Sequence, residues 1–424
     1  MMKFLIKGLL RDKTRSLAYI LVVAVGAFLT VFLFSWMQGV MSDILAANAK
    51  FDTGHVKITT RAYAEEAEQM PIDLSLLGVS KIMQQLQTKY SNMIWVPRIR
   101  FGGLIDVPDK TGNTRIQGPA MALAVQLLDP NAPDRKILNL DKALVSGHLP
   151  LHRNEILISS DFANKLGLHI GNMVTYIGST MYGSMSIYNF TVAGTVRFGI
   201  IALDRRAVIT DIGDARLVLD MPDGASEILG FSKDMQYNDE AMRSLAKAFN
   251  AAFSKKGDEF SPKMAALSEN HGLKEYLDLA DSYGGMFVFV FVLIMSMVLW
   301  NSGLINGIRR YGEIGVRLAM GETKGSVYRW MIFESVVTGI IGSIIGTALG
   351  LAISYYMQVK GIDVSSMLPN STMMMSNVMR ARVTPTSYYI GFIPGLAASV
   401  LGTMFAGVGI YKRQTANLFK ELEV

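Results

Sequence analysis

Four long apolar stretches dominate the hydrophobic pattern of the chain. They cover residues 17–41, 283–305, 327–357 and 388–411. Only the third contains charged residues, Arg329 and Glu334, and both lie near its start. About 20 apolar residues in a helix span a bilayer core, and backbone polar groups in lipid must be paired within the span. The pattern therefore predicts a membrane protein with four transmembrane helices.

A polar region, residues 42–282, separates the first two apolar stretches and is long enough for one or two domains. Residues His55–Thr60 alternate as a strand, and Ile94–Val107 is rich in β-formers, with a bend or bulge expected at Gly102-Gly103. Residues Asp239–Phe253 have the apolar face of an amphipathic helix. These patterns predict an α+β fold class, with a large mixed α/β domain outside the membrane.

Shorter elements are predicted in the middle of the polar region. The expected strands are Thr114–Gly118, Glu155–Ser159, Met173–Ile177, Tyr188–Val196 and Ala207–Thr210. Ser160 is predicted to cap a helix over Asp161–Leu166, and Asp211 to cap a helix that ends at Leu217. Residues Leu273–Leu279 are expected to form a stalk that leads into the second span.

The composition agrees with a membrane protein. Hydrophobic residues make up 50% of the 424 residues before the 39 glycines are counted, and the mean hydropathy is +0.29. Soluble domains reach about 45–50% apolar residues only when glycine is included. The absence of cysteine excludes disulfides and thiolate metal sites.

The distribution of lysine and arginine predicts the topology. Segment 1–16, loop 306–326 and tail 412–424 are rich in these residues, whereas loop 358–387 has few. Because cytoplasmic flanks carry the excess of positive charge, both termini and loop 306–326 are expected in the cytoplasm. The net charge of +6 then reflects topology, and nucleic acid is not expected as a partner.

A signal peptide is the alternative interpretation of the N-terminal region. The basic start, the apolar stretch and Ala47-Asn48-Ala49 have the order of such a peptide and its cleavage site. The apolar part of a signal peptide is about 7–15 residues long, which is shorter than the stretch found here. The first span is therefore expected to stay uncleaved.

Candidate chemistry is sparse. Gly321–Gly325 superficially resembles a phosphate loop but lacks its spacing. His148 and His152 could pair on a metal, yet Pro150 between them predicts a surface loop. The methionines within residues 367–379 could bind copper(I), although an apolar loop against a membrane or partner is the favoured interpretation. We therefore expect a non-catalytic chain that binds no cofactor or metal.

Glycines recur along the third span at nearly four-residue intervals. They are Gly339, Gly342, Gly346 and Gly350. Small residues at this spacing let another helix approach closely, so these positions are predicted to pack helices within one bundle. Pro394 is expected to kink the fourth span. No Asp, Glu, Lys or His lies deep in a span, which argues against an ion or proton pathway.

Loop 306–326 has the most informative pattern. As a helix, it would present Ile308, Tyr311, Gly315 and Leu318 on one face and Arg309, Arg310, Glu313 and Arg317 on the other. Such a helix is suited to docking on a soluble partner, although an ordinary interfacial helix has the same pattern.

The same loop carries the residues of a known family. Residues 310–321 fit the pattern Arg-x-x-Glu-Ile-Gly-x-x-x-Ala-x-Gly. This resembles the signature of FtsX-like permeases, the membrane subunits of MacB-type and lipoprotein-releasing (LolCDE-type) ABC transporters. Outer residues Glu155–Leu168 and Phe190–Gly194 resemble the MacB-like periplasmic core domain. The chain departs from the family in its tail, since Phe405–Glu421 contains no proline.

The resemblance implies a type VII ABC transporter in a bacterial inner membrane, with the polar domain in the periplasm. Two permease subunits, identical or paralogous, would pair above two copies of a separate ATPase that binds ATP and Mg. Movement would pass to the periplasmic domain by mechanotransmission instead of opening a pore. The residues of the ATPase-coupling helix would be Arg309, Arg310, Glu313, Ile314, Gly315, Arg317, Ala319 and Gly321.

Three functions are open within this resemblance. The favoured one is the release of lipoproteins, with a lipoprotein substrate and a periplasmic acceptor as partners. The second is export of peptides, toxins or small molecules with an adaptor and an outer-membrane duct. The third is regulation of a periplasmic cell-wall hydrolase without transport. A membrane sensor that lacks an ATPase is disfavoured by the coupling-helix resemblance.

Overall fold

The structure is a computed structural model that describes residues 13–109, 111–255, 257–270, 285–286, 289–290, 292–298, 300–301, 316–363 and 378–412. The chain divides into two units, which we call the membrane unit and the outer unit. The membrane unit comprises Met1–Asp43, Asp278–Asp363 and Val378–Val424. The outer unit comprises Ile44–Leu277 and Val364–Asn377.

The helices and strands are numbered separately along the chain. The α-helices are α1 (Lys13–Asn48), α2 (Arg61–Glu65), α3 (Val79–Lys89), α4 (Pro133–Ile137), α5 (Leu140–Ala143), α6 (Ser160–Leu166), α7 (Ile201–Asp204), α8 (Ile212–Val218), α9 (Asp239–Phe253), α10 (Lys324–Lys360) and α11 (Phe392–Lys412). The strands are β1 (Val56–Thr60), β2 (Met93–Pro108), β3 (Thr114–Val125), β4 (Leu144–Gly147), β5 (Glu155–Ser159), β6 (Met173–Ser179), β7 (Met185–Val196), β8 (Ala207–Asp211), β9 (Glu227–Ser232), β10 (Pro262–Ala266), β11 (Ile362–Asp363) and β12 (Val378–Met379).

Three helices in the described part of the chain are long and apolar enough to cross a membrane. They lie within Leu17–Thr53, Lys324–Lys360 and Pro385–Val408. Only parts of the predicted second span, residues 283–305, are described, and those parts are helical. The chain thus has the apolar helices of a membrane protein, while the count of four spans stays a prediction.

Several predicted segments lie outside the described residues. They are segment 1–12, the stalk Leu273–Leu279, residues 302–305 of the predicted second span, residues 306–315 of the loop after it, residues 364–377 of the methionine-rich loop and tail 413–424.

The outer unit is built on one mixed sheet. Its strand order is β10-β1-β9-β2-β3-β8-β5-β7-β4, with β6 paired to β2 and β7. The pairs β3–β8 and β5–β7 are parallel, and the other pairs are antiparallel. Long β2 joins two regions, since Met93–Arg98 pairs with β9 and Ile99–Pro108 pairs with β3. The mixed α/β domain predicted from the sequence is therefore present.

The main hydrophobic core of the outer unit unites the sheet with helices α3, α6, α8 and α9. Representative buried side chains are Leu86, Phe162, Ala215 and Phe249. Helix α9 has the predicted bounds. Its predicted apolar face also holds, with Met242, Ala246 and Phe249 buried and Leu245 and Phe253 packed against the core.

No bulge lies at Gly102-Gly103, so that part of the prediction is wrong. The β2–β3 register runs without a shift through both glycines, and its irregularity lies at Val107/Pro108. A Cβ at Gly103 would stand 2.3 Å from the ring of Tyr176. Gly103 therefore makes room for a packed tyrosine.

Other predicted boundaries differ from the observed ones, and two of the differences have a clear physical reason. Strand β3 continues past Gly118 to Val125, and Pro119 is tolerated because pairing with β8 begins only at Met121. Helix α6 begins at Ser160 itself, with Ser159 at the N-cap and no side-chain cap. The hydroxyl of Ser159 instead donates to the carbonyl of Asp204.

The fourth apolar stretch differs from the prediction at its start. A 3₁₀ turn covers Pro385–Tyr388, and α11 begins at Phe392. Pro394 therefore lies in the first helical turn, where backbone N–H groups have no partner within the helix. The kink predicted at Pro394 is accordingly not required.

Candidate coupling segment and helix-packing interface

The last part of the signature forms a helix stop. Residues 316–319 are helical, and Gly321 follows with a φ of +90°. The N–H of Gly321 donates to the carbonyl of Leu318 at 3.1 Å, and the N–H of Glu322 donates to the carbonyl of Arg317 at 3.0 Å. This pair of bonds is the Schellman arrangement, which favours glycine at the left-handed position. The final glycine of the signature thus ends the helix.

A capped helix start follows the stop directly. The Oγ1 atom of Thr323 accepts from the N–H of Ser326 at 3.3 Å, and α10 begins at Lys324. The Oγ atom of Ser326 donates to the Oε1 atom of Glu322 at 2.9 Å. The Thr323 bond satisfies a backbone N–H at the start of α10, so a short, hydrogen-bonded turn connects the helix stop to α10.

The predicted coupling residues are only partly described. Arg317, Ala319 and Gly321 are exposed on the helix stop and the turn after it. The remaining coupling residues lie outside the described part of the chain, and they are Arg309, Arg310, Glu313, Ile314 and Gly315. Their placement on one docking helix stays a prediction.

The glycines of α10 face α1 at close range. A Cβ at Gly342 would stand 2.8 Å from Val23, one at Gly346 would stand 2.2 Å from the carbonyl oxygen of Ala24, and one at Gly350 would stand 2.8 Å from Val31. Real Cβ contacts are longer than this, so glycine lets the two backbones approach.

Gly339 faces α11 instead. A Cβ there would stand 3.0 Å from the side chain of Ser399. The hydroxyl of Ser399 donates to the carbonyl of Ser335 at 2.9 Å, and Tyr19 and Thr403 share a hydrogen bond of 3.1 Å between α1 and α11. Hydrogen bonds and small residues together hold this bundle.

Sequence reasoning missed two further glycines with close helix contacts, which lie in the fourth apolar stretch. A Cβ at Gly391 would stand 2.4 Å from Val31, and one at Gly395 would stand 2.6 Å from the hydroxyl of Ser343. The two glycines are four residues apart, so the same spacing rule could have found them.

The outer unit offers little for metal binding. Within the described residues, no group of three or more His, Asp or Glu side chains could hold a metal ion. His148 and His152 lie exposed in a loop, and the Nδ1 atom of His152 is 3.5 Å from the Oε1 atom of Glu155.

Comparison with known proteins defines the class as a membrane subunit of the permease type found in ABC transporters. The FtsX-like permease C-terminal family matches residues 285–415. The MacB-like periplasmic core domain matches residues 16–248, which is more than half of the chain. The chain belongs to the MacB/FtsX-type permeases. The resemblance noted in the sequence is therefore confirmed, and membership implies an ABC ATPase as a partner.

The chain is also similar to a solved structure. The periplasmic region of MacB from Actinobacillus actinomycetemcomitans is 12% identical, with a TM-score of 0.36. The alignment covers 53% of this chain and 92% of that chain. A comparison with curated proteins gives no match.

Proposed function

We propose that this chain couples ATP hydrolysis on a separate ATPase to movement of its periplasmic domain, and that the movement releases lipoproteins from the inner membrane. Two permease subunits and two ATPase copies form the working assembly, with ATP and Mg bound on the ATPase. Membership of the family supports the proposal of an ATPase partner. FtsX-like permeases are generally non-catalytic membrane subunits, so another subunit must hydrolyse the ATP.

The helix stop at Gly321 is the observation that carries this proposal. A helix that docks on a moving partner transmits motion only if its connection to the membrane helix is stiff. Gly321 closes the helix with two backbone bonds, and Thr323 caps α10 directly afterwards. A displacement of the helix at Arg317 is therefore passed to α10 through a turn whose backbone groups are hydrogen-bonded. A flexible linker at this place would absorb the displacement instead.

Mechanotransmission is supported further by the chemistry of the spans. A pathway for ions or protons through lipid needs charged groups inside the bundle. Residues 17–41 and 388–411 contain none, and the charges of the third span lie near its start. A large cargo handled by the outer unit agrees better with these spans than a small ion does.

The deciding experiment is a pull-down of the tagged full chain in mild detergent, followed by mass spectrometry. An ATPase recovered with lipoproteins or a periplasmic acceptor would support lipoprotein release. An ATPase recovered with an adaptor and an outer-membrane duct would favour export, and one recovered with a cell-wall hydrolase would favour regulation. Recovery without any ATPase would overturn the coupling proposal.

A single substitution tests the coupling helix in the same preparation. Glu313→Lys reverses the charge of the signature carboxylate and should abolish recovery of the ATPase while the chain still inserts. Glu423→Lys reverses a charge of the predicted cytoplasmic tail, outside both the proposed docking helix and the turn after it, and should retain the ATPase. Equal recovery with both variants would remove Glu313 from the docking surface.

A further inference from the structure

A single π-helical turn follows the first membrane-spanning helix and enters the outer unit. It covers Ala49–Thr53 and ends at Gly54, whose φ is +60° and whose N–H donates to the carbonyl of Ala49 at 2.8 Å. Phe51 is buried, with its ring centroid 6.1 Å from that of Phe198. π-Helical turns are rare and are found frequently at functional sites.

Three cationic side chains of the sheet bind this turn. Arg98 of β2 donates through Nη1 to the carbonyl of Lys50 at 2.8 Å. Lys57 of β1 donates to the Oδ1 atom of Asp52 at 3.0 Å, and Arg100 of β2 donates to the same oxygen. The main chain and the carboxylate of the turn are therefore both held by strands of the outer sheet.

The cations are themselves fixed by buried anions. Arg98 has no exposed surface, and its Nη2 atom lies 2.7 Å from the Oδ1 atom of Asp134. The Nζ atom of Lys57 is 3.3 Å from the Oε2 atom of buried Glu227. Displacing the turn would leave these desolvated charges with fewer partners, which is costly in a low-dielectric interior.

Neighbouring carboxylates keep the guanidinium of Arg100 charged. Burial lowers the pKa of Arg100, but Glu227 and Asp52 outweigh that effect and raise its pKa above the ordinary value. The attraction between Arg100 and Asp52 is therefore present across the physiological range of pH.

We propose that Asp52, Lys57, Arg98 and Arg100 form a mechanical clamp, which ties the turn after the first span to β1 and β2 so that displacement of the helix end moves the sheet. This inference rests on the proposed function, since a clamp of this kind serves a protein that passes motion outward. Without it, the turn would act as a hinge and absorb the displacement.

A local measurement tests the clamp without any ATPase. The chain contains no cysteine, so Ala46→Cys on the exposed side of the last α1 turns gives one site for a nitroxide label. In the full chain in nanodiscs, the label should be less mobile with Asp52 present than in Asp52→Ala. Asp52→Glu should restore the lower mobility of the parent, and Asp73→Ala, which removes an exposed carboxylate elsewhere, should not change it.

A second variant keeps the test decisive if Asp52→Ala does not fold. Arg100→Gln removes one partner of Asp52 and leaves the pair of Lys57 and Glu227 in place. It should mobilise the label at position 46 as well. An unchanged spectrum in the folded variants would overturn the clamp.

The motion itself is measured with the ATPase that co-purifies with the chain. Tyr182 has a side chain that is 68% exposed, so the labelling rate of Tyr182→Cys reports movement of the outer unit. ATP should change that rate in the parent, and Asp52→Ala should lose the change while it retains ATPase binding and hydrolysis. A retained response would overturn the clamp. If the parent does not respond to ATP, the proposed function fails, and the nitroxide spectra alone decide whether Asp52 holds the turn.

Discussion

Gly346 of α10 lies against the backbone of Ala24 in α1, so closely that a Cβ on Gly346 would stand 2.2 Å from the carbonyl oxygen of Ala24. Neighbouring positions repeat the relationship, with Gly342 against Val23 and Gly350 against Val31. Lipid provides no hydrophobic drive for helix association, so close backbone packing is a main source of its stability.

Gly346→Ala should loosen the bundle, because the added methyl group would meet the backbone of Ala24 and the Cβ atom of Ala27, and neither can rotate away. The expected loss of stability is about 1–3 kcal/mol, the range for overpacked sites. Thermal unfolding of the full chain in detergent would measure it. Gly325→Ala is the matched control, since a Cβ there meets nothing within 4 Å. Similar melting of the two variants would contradict the packing role of Gly346.

Gly321→Ala should weaken the coupling turn. The φ of +90° at this position disfavours any residue with a Cβ, at a cost of about 1–2 kcal/mol. We expect less ATPase to co-purify with Gly321→Ala, and an intermediate amount with Gly321→Asn, since asparagine tolerates positive φ better. The amount of ATPase bound per tagged chain gives the result. Full binding by Gly321→Ala would show that the turn does not need this conformation.

The topology can be tested by cysteine labelling, because the chain contains no native cysteine. Asn131→Cys places a thiol in an exposed turn of the outer unit. An impermeant maleimide should label it on intact spheroplasts, and Glu322→Cys should be labelled only after lysis. Labelling of Asn131→Cys only after lysis would reverse the orientation that the positive charges predict.

Elements with local signals could be predicted from the sequence. Strand β5 has its predicted bounds, Glu155–Ser159, because a run of buried branched residues is a strong strand signal. Asp211 caps α8 as predicted, and its carboxylate accepts from the N–H of Gly213 at 2.8 Å. The helix stop at Gly321 is not among the predicted elements, although glycine after a helical pattern is a local signal for one.

Elements that depend on distant partners could not be predicted. Strand β9 contains Glu227 and Gly230, which disfavour a buried strand by propensity. Glu227 is tolerated because Lys57, far away in the sequence, lies 3.3 Å from it. The spacing of the glycines in α10 predicts close packing, but it contains no information on whether α1 or α11 is the neighbour.

The pair of Arg98 and Asp134 should be the most sensitive ionic contact of the outer unit. Both side chains are fully buried, and the Nε and Nη2 atoms of Arg98 donate to the Oδ1 atom of Asp134 at 3.2 and 2.7 Å. Asp134→Asn leaves the Arg98 charge without its counter-ion, and removing one partner of a buried pair costs about 3–5 kcal/mol. Hydrogen exchange of β2 and β9 in the full chain should show the loss of protection.

The double variant Arg98→Met with Asp134→Leu separates the free-energy cost of an unpaired buried charge from the net contribution of the ion pair to stability. Replacing both partners by apolar residues is often neutral, so protection should return part of the way toward that of the parent, less the effect of the lost Arg98 bond to the carbonyl of Lys50. Asp141→Asn is the control, because its carboxylate is exposed and lies 3.4 Å from Arg135, and surface pairs contribute about 0–1 kcal/mol. If Asp134→Asn matched Asp141→Asn in protection, Arg98 would not depend on Asp134 for its stability in the core.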